Sequence, residues 1–245
     1  MIVLPMAGLS SRFTTAGYDV PKYMLPLHGQ SVFAHAISSF AADFAQRPFL
    51  IIYRPVAGTR DFLLSEMARL DIRTFTLLEL DAETRGQAET VSLAIGRAAV
   101  SADAPLSIFN IDTFRPGFRF PHLDADGWLE VFRGTGDNWS FARPEAPGST
   151  RVVETAEKRA ISDLCCTGFY HFARAGDFMR AYVAEAAEVK SELYVAPLYN
   201  RLIARGANIR YFEIKPSDVV FCGVPAEYEA LVADGAPLHR VYQPS

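Results

Sequence analysis

Short apolar runs alternate along the first half of the chain with stretches whose apolar residues return every three to four positions. The two periods predict strands and helices respectively. The expected order is strand 2–6, helix about 31–42, strand 49–53, helix about 60–70, strand 72–80, helix about 87–100 and strand 106–111, which reads as a parallel sheet wound with helices. In Ser31–Phe40 the apolar Val32, Phe33, Ala36, Ile37 and Phe40 share one stripe and Ser31 stands where an N-cap belongs, so His35 on that helix is read as structural. The second half changes character. From Asp126 to Phe172 short β-like runs are broken by the turn signals GTGDN and EAPGST, followed by helices near 175–188 and 192–205, a strand near 208–214 and a strand–turn–helix from Val219. With no repeat, low-complexity tract or linker in view, the expectation is one compact unit whose two lobes share a central sheet.

Composition narrows the function classes. At 245 residues with 50% hydrophobic and 21% charged residues, the chain can bury a sizeable core and is not of the disordered type. A formal net charge of -4 gives no nucleic-acid face, so a polyanionic ligand has to be met by a local site. The start MIVLPMAG lacks the basic region and long apolar run of a signal peptide, and no segment approaches the roughly 20 apolar residues of a membrane span; the expectation is a cytoplasmic enzyme with no membrane partner. Cys165, Cys166 and Cys222 fit neither a disulfide framework nor a zinc site and are expected to be buried thiols in strands.

The candidate chemistry begins in LPMAGLSSRFTTAGYDVPKYMLPL, residues 4–27. In an open parallel sheet a ligand sits beyond the carboxyl ends of the strands, and the loop after the first strand is the usual approach for phosphate. Gly8 would let the backbone turn and come close to a ligand, Ser10 and Ser11 could donate hydrogen bonds, and Arg12 could grip phosphate oxygens as a rigid fork. An ordinary turn with a surface arginine is the competing reading, and these residues alone leave both open.

AGLSSRF, followed by Pro21-Lys22 and the apolar YMLPL, resembles the signature of the nucleotidyltransferases that activate sugar phosphates and related phosphorylated alcohols. In that family the loop commonly reads AGGxGTR or AGLGSR before a PK pair; here Ser10 replaces a glycine. The resemblance implies that Ala7, Gly8, Leu9, Ser10, Ser11 and Arg12 wrap a nucleoside triphosphate, that Arg12 holds its β and γ phosphates, and that Lys22 neutralises charge around the α-phosphorus.

The likeness extends over most of the chain. Arg85-Gly-Gln-Ala-Glu-Thr90 is either a plain helix start with Glu89 in its favoured first turn or, by resemblance, the place where Gly86 and Gln87 face the nucleobase. Phe109-Asn110-Ile111-Asp112 puts two polar residues after an apolar strand; Asp112 could cap a turn or bind Mg²⁺, and by resemblance it is the family's metal-binding aspartate, with Asn110 on the nucleotide. NID is not the DxD of related glycosyltransferases. Glu157-Lys158 before the strand that carries Thr167-Gly168 resembles the family's EK and TGxY, which implies that Lys158 contacts the acceptor phosphate and Glu157 a polar acceptor group, with Thr167 and Gly168 beside them. Ser191–Asn200 resembles an acceptor-lining segment through Glu192 and Tyr194, although core packing explains its aromatics equally well. Trp139 either shapes the acceptor pocket or fills core. Many relatives carry a second metal-binding aspartate two residues before the glycine of a late DxGTP-type motif; here Phe221 stands in that place. Either Asp112 holds the ion with phosphates and waters completing its shell, the favoured expectation, or nearby Asp218 substitutes, or the site is inactive.

Taken together, the resemblance implies an α/β fold, Rossmann-like and GT-A-type, with a mixed, mostly parallel central sheet flanked by helices and a smaller acceptor-side lobe. A single domain over 1–245 would place the nucleotide in about 1–112 and the acceptor in about 113–245. The implied reaction is Mg²⁺-dependent: a phosphorylated small-molecule acceptor attacks the α-phosphorus of a nucleoside triphosphate and releases pyrophosphate, in the manner of enzymes that prepare building blocks for capsule or surface polysaccharide. A glycosyltransferase on a similar sheet and a non-catalytic nucleotide-binding module are the alternatives. The base, the acceptor and the oligomeric state are not fixed by these residues.

Overall fold

The structure is a computed structural model that describes residues 1–56 and 58–233. In chain order it contains β1 (Ile2–Met6), α1 (Ser11–Thr15), the two-residue strands β2 (Pro26–Leu27) and β3 (Gln30–Ser31), α2 (Val32–Ser38), β4 (Phe49–Tyr53), α3 (Thr59–Arg69), β5 (Phe75–Glu79), α4 (Gln87–Arg97), β6 (Leu106–Phe109) and β7 (Thr113–Phe114). The second half adds β8 (Gly127–Arg133), β9 (Ser140–Pro144), β10 (Val152–Glu157), β11 (Leu164–Phe172), α5 (Ala175–Glu188), α6 (Leu198–Ile203), β12 (Ile209–Ile214), β13 (Val220–Phe221) and α7 (Pro225–Ala233). Short 3₁₀ turns lie at Lys22–Met24, Ala41–Asp43 and Pro216–Asp218.

The order β10-β9-β11-β6-β1-β4-β5 runs across the central sheet, with β8 pairing β11 and β12 pairing β8. Strands β6, β1, β4 and β5 are parallel; β11 enters antiparallel beside β6 and joins the second-half strands to this frame. Burial follows the pleat. Ile2 and Leu4 of β1 and Phe49, Ile51 and Tyr53 of β4 face one core with α2, α3 and α7, whereas Val3, Leu50 and Ile52 face the other with α4, α5 and α6. A strand covered on both faces needs a continuous apolar run, which explains why FLIIY shows no polar alternation. The result is the expected Rossmann-like α/β sandwich. Among the described residues no helix is long and apolar enough to cross a membrane.

Several boundaries differ from expectation, each for a local reason. The helix expected over 31–42 closes at Ser38 and re-forms as the turn Ala41–Asp43. The strand expected over 72–80 begins at Phe75 because Asp71, with φ 53°, reverses the chain after α3. The helix expected to reach 100 ends at Arg97, two residues before Ala99 takes φ 48°. Residues 192–197 are extended or turned instead of helical, and only Leu198–Ile203 forms α6, because Leu193 is bonded to the start of α4. Conversely, the stretch taken as a loop through Arg12 contains the short helix α1, started by Ser10, and Lys22 opens a 3₁₀ turn. His35 is buried with its Nε2 2.8 Å from Leu27 O, and all three cysteines are buried as expected, Cys165 and Cys166 within β11 but Cys222 just past the end of β13.

One buried ion pair anchors the start of the second half, and its arginine also reaches back to the first. Arg115, just after β7, donates from Nε to Glu130 Oε1 of β8 at 2.7 Å and from Nη1 to the carbonyl of Asp218 at 2.5 Å, while its backbone N–H donates to Ser39 Oγ at 2.8 Å. The Glu130 side chain is 0% exposed and burial pushes its carboxyl up, against the pull of Arg115 and the Thr167 hydroxyl. Removing one partner of such a pair strands the other charge. Arg115→Ala is therefore expected to cost about 3–5 kcal/mol of stability, read by equilibrium urea unfolding; a loss under about 1 kcal/mol, typical of an exposed pair, would remove Arg115 from that role.

Candidate active site

A cleft of about 750 Å³ opens beyond the carboxyl ends of β1 and β6 and is closed on its far side by β9, β10 and β11. Gly8, Ser10, Arg12, Lys22, Gln87, Asn110 and Asp112 reach it from the first half, and Glu157, Lys158, Thr167, Gly168, Glu192 and Tyr194 from the second. Ala7, Leu9, Ser11, Gly86 and Asp218 do not line it.

The opening loop is shaped by Ser10, which holds φ 51° and ψ 30° and accepts the Phe13 N–H at 2.9 Å. This left-handed conformation favours glycine, so the residue found in the resembling motif and the serine found here answer the same backbone demand. A Cβ on Gly8 would meet nothing within 4 Å, so what its missing side chain leaves is open cleft. Arg12 is exposed on the first turn of α1 and makes no ion pair among the described residues.

Lys22 and Asp112 meet across the cleft, with Nζ 2.5 Å from Oδ2 and both side chains mostly shielded. Asp112 is fixed by its backbone, whose carbonyl accepts the Cys222 N–H at 2.8 Å, next to the β7–β13 ladder that pairs Thr113 with Phe221. Beyond it lies Gly223. A Cβ there would fall 3.3 Å from Asp112 Oδ2 and 3.6 Å from Glu227 Oε2, so two carboxylates flank a gap that only glycine leaves open. Glu227 is a cleft residue that the sequence reading missed; its Oε2 accepts the N–H groups of Gly223 and Val224 at the start of α7. The signal was an acidic residue in the first turn after GVP, which a helix start explains by itself. Asp218 instead caps its own 3₁₀ turn at Lys215 N and lends only its carbonyl to Arg115, so it is not beside Asp112 in the cleft. Cys222 is fully buried and its thiol is pushed up to about 12, which leaves no thiolate nucleophile here.

Gln87 donates from Nε2 to Asn110 Oδ1 at 2.5 Å, so the two amides act as a pair. Asn110 lies over Gly168, where β11 shifts register between Cys166 and Tyr170 and φ is +94°. A Cβ on Gly168 would lie 2.6 Å from Asn110 Cγ. At the other end Lys158, with φ 52°, donates from Nζ to Tyr194 Oη at 2.6 Å, and Tyr194 Oη in turn donates to Glu192. The bond to Tyr194 raises the Lys158 pKa, keeping the ammonium charged, while burial raises that of Glu157, which accepts from Ser140 Oγ. Trp139 both lines the cleft and packs 4.7 Å from the Phe221 ring, so the two readings of its role are not exclusive.

No family model and no curated protein sequence matches the chain. Solved structures do. The nucleoside-diphosphate-sugar pyrophosphorylase from Vibrio cholerae RC9 is 52% identical, covers 96% of this chain and 100% of its own, and superposes with a TM-score of 0.92. The chain belongs to the nucleoside-diphosphate-sugar pyrophosphorylase family of nucleotidyltransferases. More distant likenesses agree in fold alone: an inositol-1-phosphate CTP transferase from T. maritima at 16% identity, TM-score 0.73, covering 94% of this chain and 93% of that one, and a UDP-glucose pyrophosphorylase at 14%, TM-score 0.71, covering 95% and 96%.

In this nucleotidyltransferase the amide pair Gln87–Asn110 depends on the absence of a side chain at Gly168. Gly168→Ala is expected to displace Asn110 and to cost on the order of 1–3 kcal/mol from backbone strain alone, seen as a lowered Tm in thermal unfolding. An unchanged Tm would show that β11 yields at the bulge without strain.

Proposed function

We propose that the enzyme transfers a nucleoside monophosphate from a nucleoside triphosphate to a sugar 1-phosphate or a related phosphorylated alcohol, releasing pyrophosphate. The observation that carries this reading is that one cleft holds Arg12, the Lys22–Asp112 pair and the tethered ammonium of Lys158. A phosphate monoester is already a competent nucleophile, so the chemistry asks for positioning and charge stabilisation and for no enzyme nucleophile. Arg12 holds the outer phosphates, Lys22 offsets charge developing around the α-phosphorus, and the Gln87–Asn110 pair meets the base. Lys158 holds the acceptor phosphate, with Glu157, Glu192 and Tyr194 around the rest of the acceptor and Thr167 and Gly168 forming the wall between the two.

The residues fit a divalent metal. Asp112 Oδ2 already carries the ammonium of Lys22 as a stand-in cation, and Gly223 leaves the gap toward the Glu227 carboxylate open. Asp112 would hold Mg²⁺, which suits carboxylate and phosphate oxygens and needs only one or two protein carboxylates. The ion would neutralise phosphate charge there, Lys22 would serve the α-phosphate, and Asp112 is held in place by the bond of its carbonyl to the Cys222 N–H. On this reading about 1–112 forms the nucleotide half and about 113–245 the acceptor half, with Glu227 crossing that division. The 52% identical relative, named for nucleoside-diphosphate sugars, supports a sugar acceptor. The product would feed glycosyl transfer into surface polysaccharide, and the need for nucleoside triphosphates favours the cytoplasm.

A panel of triphosphates against sugar 1-phosphates and smaller alcohol phosphates, followed by pyrophosphate release, tests the reading; binding of no triphosphate would reject it. Within the productive pair, Lys158→Ala is expected to raise the acceptor KM by the ~1.5–3 kcal/mol of a charge-assisted contact while sparing triphosphate affinity. The reverse pattern in calorimetry would mean that the two subsites are exchanged. Asp112→Asn should abolish turnover and Asp218→Asn leave it close to wild type; equal loss in both would return Asp218 to the metal site.

A further inference from the structure

Gly86 stands next to Gln87 in the loop that meets the nucleotide, yet it faces away from the cleft. Its φ is +130°, and a Cβ on it would fall 2.6 Å from Leu193 O, 2.9 Å from Leu193 N and 3.0 Å from Glu192 Cγ. Two of these are backbone atoms of a segment that cannot retreat, because the segment is stitched to the same loop. Leu193 N–H donates to Arg85 O at 2.5 Å, and Ala88 N–H donates to Leu193 O at 3.0 Å. Leu193 itself is 1% exposed, while its neighbours Glu192 and Tyr194 turn the other way and line the cleft, as alternate residues of an extended segment do. From Tyr194 the chain of contacts continues to the ammonium of Lys158.

We propose that Gly86 is a positioning residue for the acceptor: its missing side chain admits the 192–195 segment against the nucleotide loop, and that docking sets Glu192, Tyr194 and, through Tyr194, Lys158. The proposal rests on the function given above. It assigns Gly86 to the acceptor subsite although the residue belongs to the nucleotide loop by position.

The test is steady-state kinetics of Gly86→Ala with the triphosphate and acceptor that the wild-type enzyme uses, together with hydrogen exchange over 192–195. The acceptor KM should rise by about tenfold or more while the triphosphate KM stays within about twofold, and exchange protection of the segment should fall. Tyr194→Phe should raise the acceptor KM as well, and the double variant should fall short of the product of the two effects, since both act through one contact chain. A raised triphosphate KM with an unchanged acceptor KM would overturn the proposal, as would full additivity in the double variant. Should Gly86→Ala fail to fold, Ala88→Pro takes its place. The first turn of a helix accepts proline, and the change removes the N–H that Leu193 O accepts; an unchanged acceptor KM in that variant would overturn the proposal equally. Wild-type protein without turnover on any substrate pair would sink the functional reading and the proposal with it, whereas lost exchange protection alongside an unchanged acceptor KM would sink the proposal alone.

Discussion

Arg115 is the constraint on which the geometry of the cleft floor rests. Its guanidinium is bonded to a carboxylate in β8 and to a carbonyl just before β13, and its backbone to a hydroxyl beside α2. Glu130 also receives the Thr167 hydroxyl at 3.0 Å, and the Thr167 carbonyl receives Thr113 Oγ1 at 3.1 Å. A buried pair of this kind is weak support for stability by itself, since desolvation offsets much of the attraction. What it supplies is registry. Directional bonds hold β7, β13 and β11 in one relation, and Asp112 just before β7, Gly223 just after β13 and Gly168 within β11 are residues that shape the site. An apolar cluster in the same place would fill the volume without fixing the angles.

Above that floor the site is built as much by absences as by side chains. Gly168 makes room for Asn110, Gly223 keeps the space between Asp112 and Glu227 open, and Gly86 admits the backbone of Leu193. At two of these positions, Gly86 and Gly168, positive φ adds a second reason for glycine. The strained non-glycine positions do comparable work: Ser10 starts α1 from the left-handed region, and Lys158 leaves β10 in the same region, which sends its ammonium toward Tyr194. Conformational cost at these points is covered by ordered neighbours, in keeping with strain being tolerated where the surroundings over-determine the backbone.

This division explains what the sequence could and could not tell. Strands β1 and β4 agree with expectation to the residue, because a doubly covered strand advertises itself by an unbroken apolar run. The cleft residues brought together by the motifs, from Arg12 to Tyr194, were legible chiefly through the resemblance of those motifs, in their matched order, to a known family. Features set by distant partners were not. The end of β6 is decided by the Asn110 N–H reaching Gly168 O, and the extended form of 192–195 by bonds to Arg85 and Ala88; neither partner is near in sequence. Spacing likewise offered Asp218 as a replacement carboxylate, since it precedes Gly223 by a few residues, whereas the chain turns so that Glu227, after the glycine, is the acid that faces the gap.

The balance of charge in the cleft bears on how the proposed triphosphate would enter it. Arg12, Lys22 and Lys158 supply the cations, but Asp112, Glu157, Glu192 and Glu227 line the same space, and two of the three cations are already engaged, Lys22 with Asp112 and Lys158 with the Tyr194–Glu192 pair. Among the described residues that line the cleft, only Arg12 stands ready for an incoming anion. A cleft in which carboxylates outnumber cations would repel a bare polyphosphate at the short range where screening is weak. On the proposed function the ligand would bring a cation or exchange for one of the existing partners, and a divalent ion held by Asp112 would serve both needs. On that reading the site would be selective: a simple anion that carries no metal would gain one arginine and face four acids, while a metal–triphosphate complex would gain the arginine, Lys22 and the carboxylate that the metal needs.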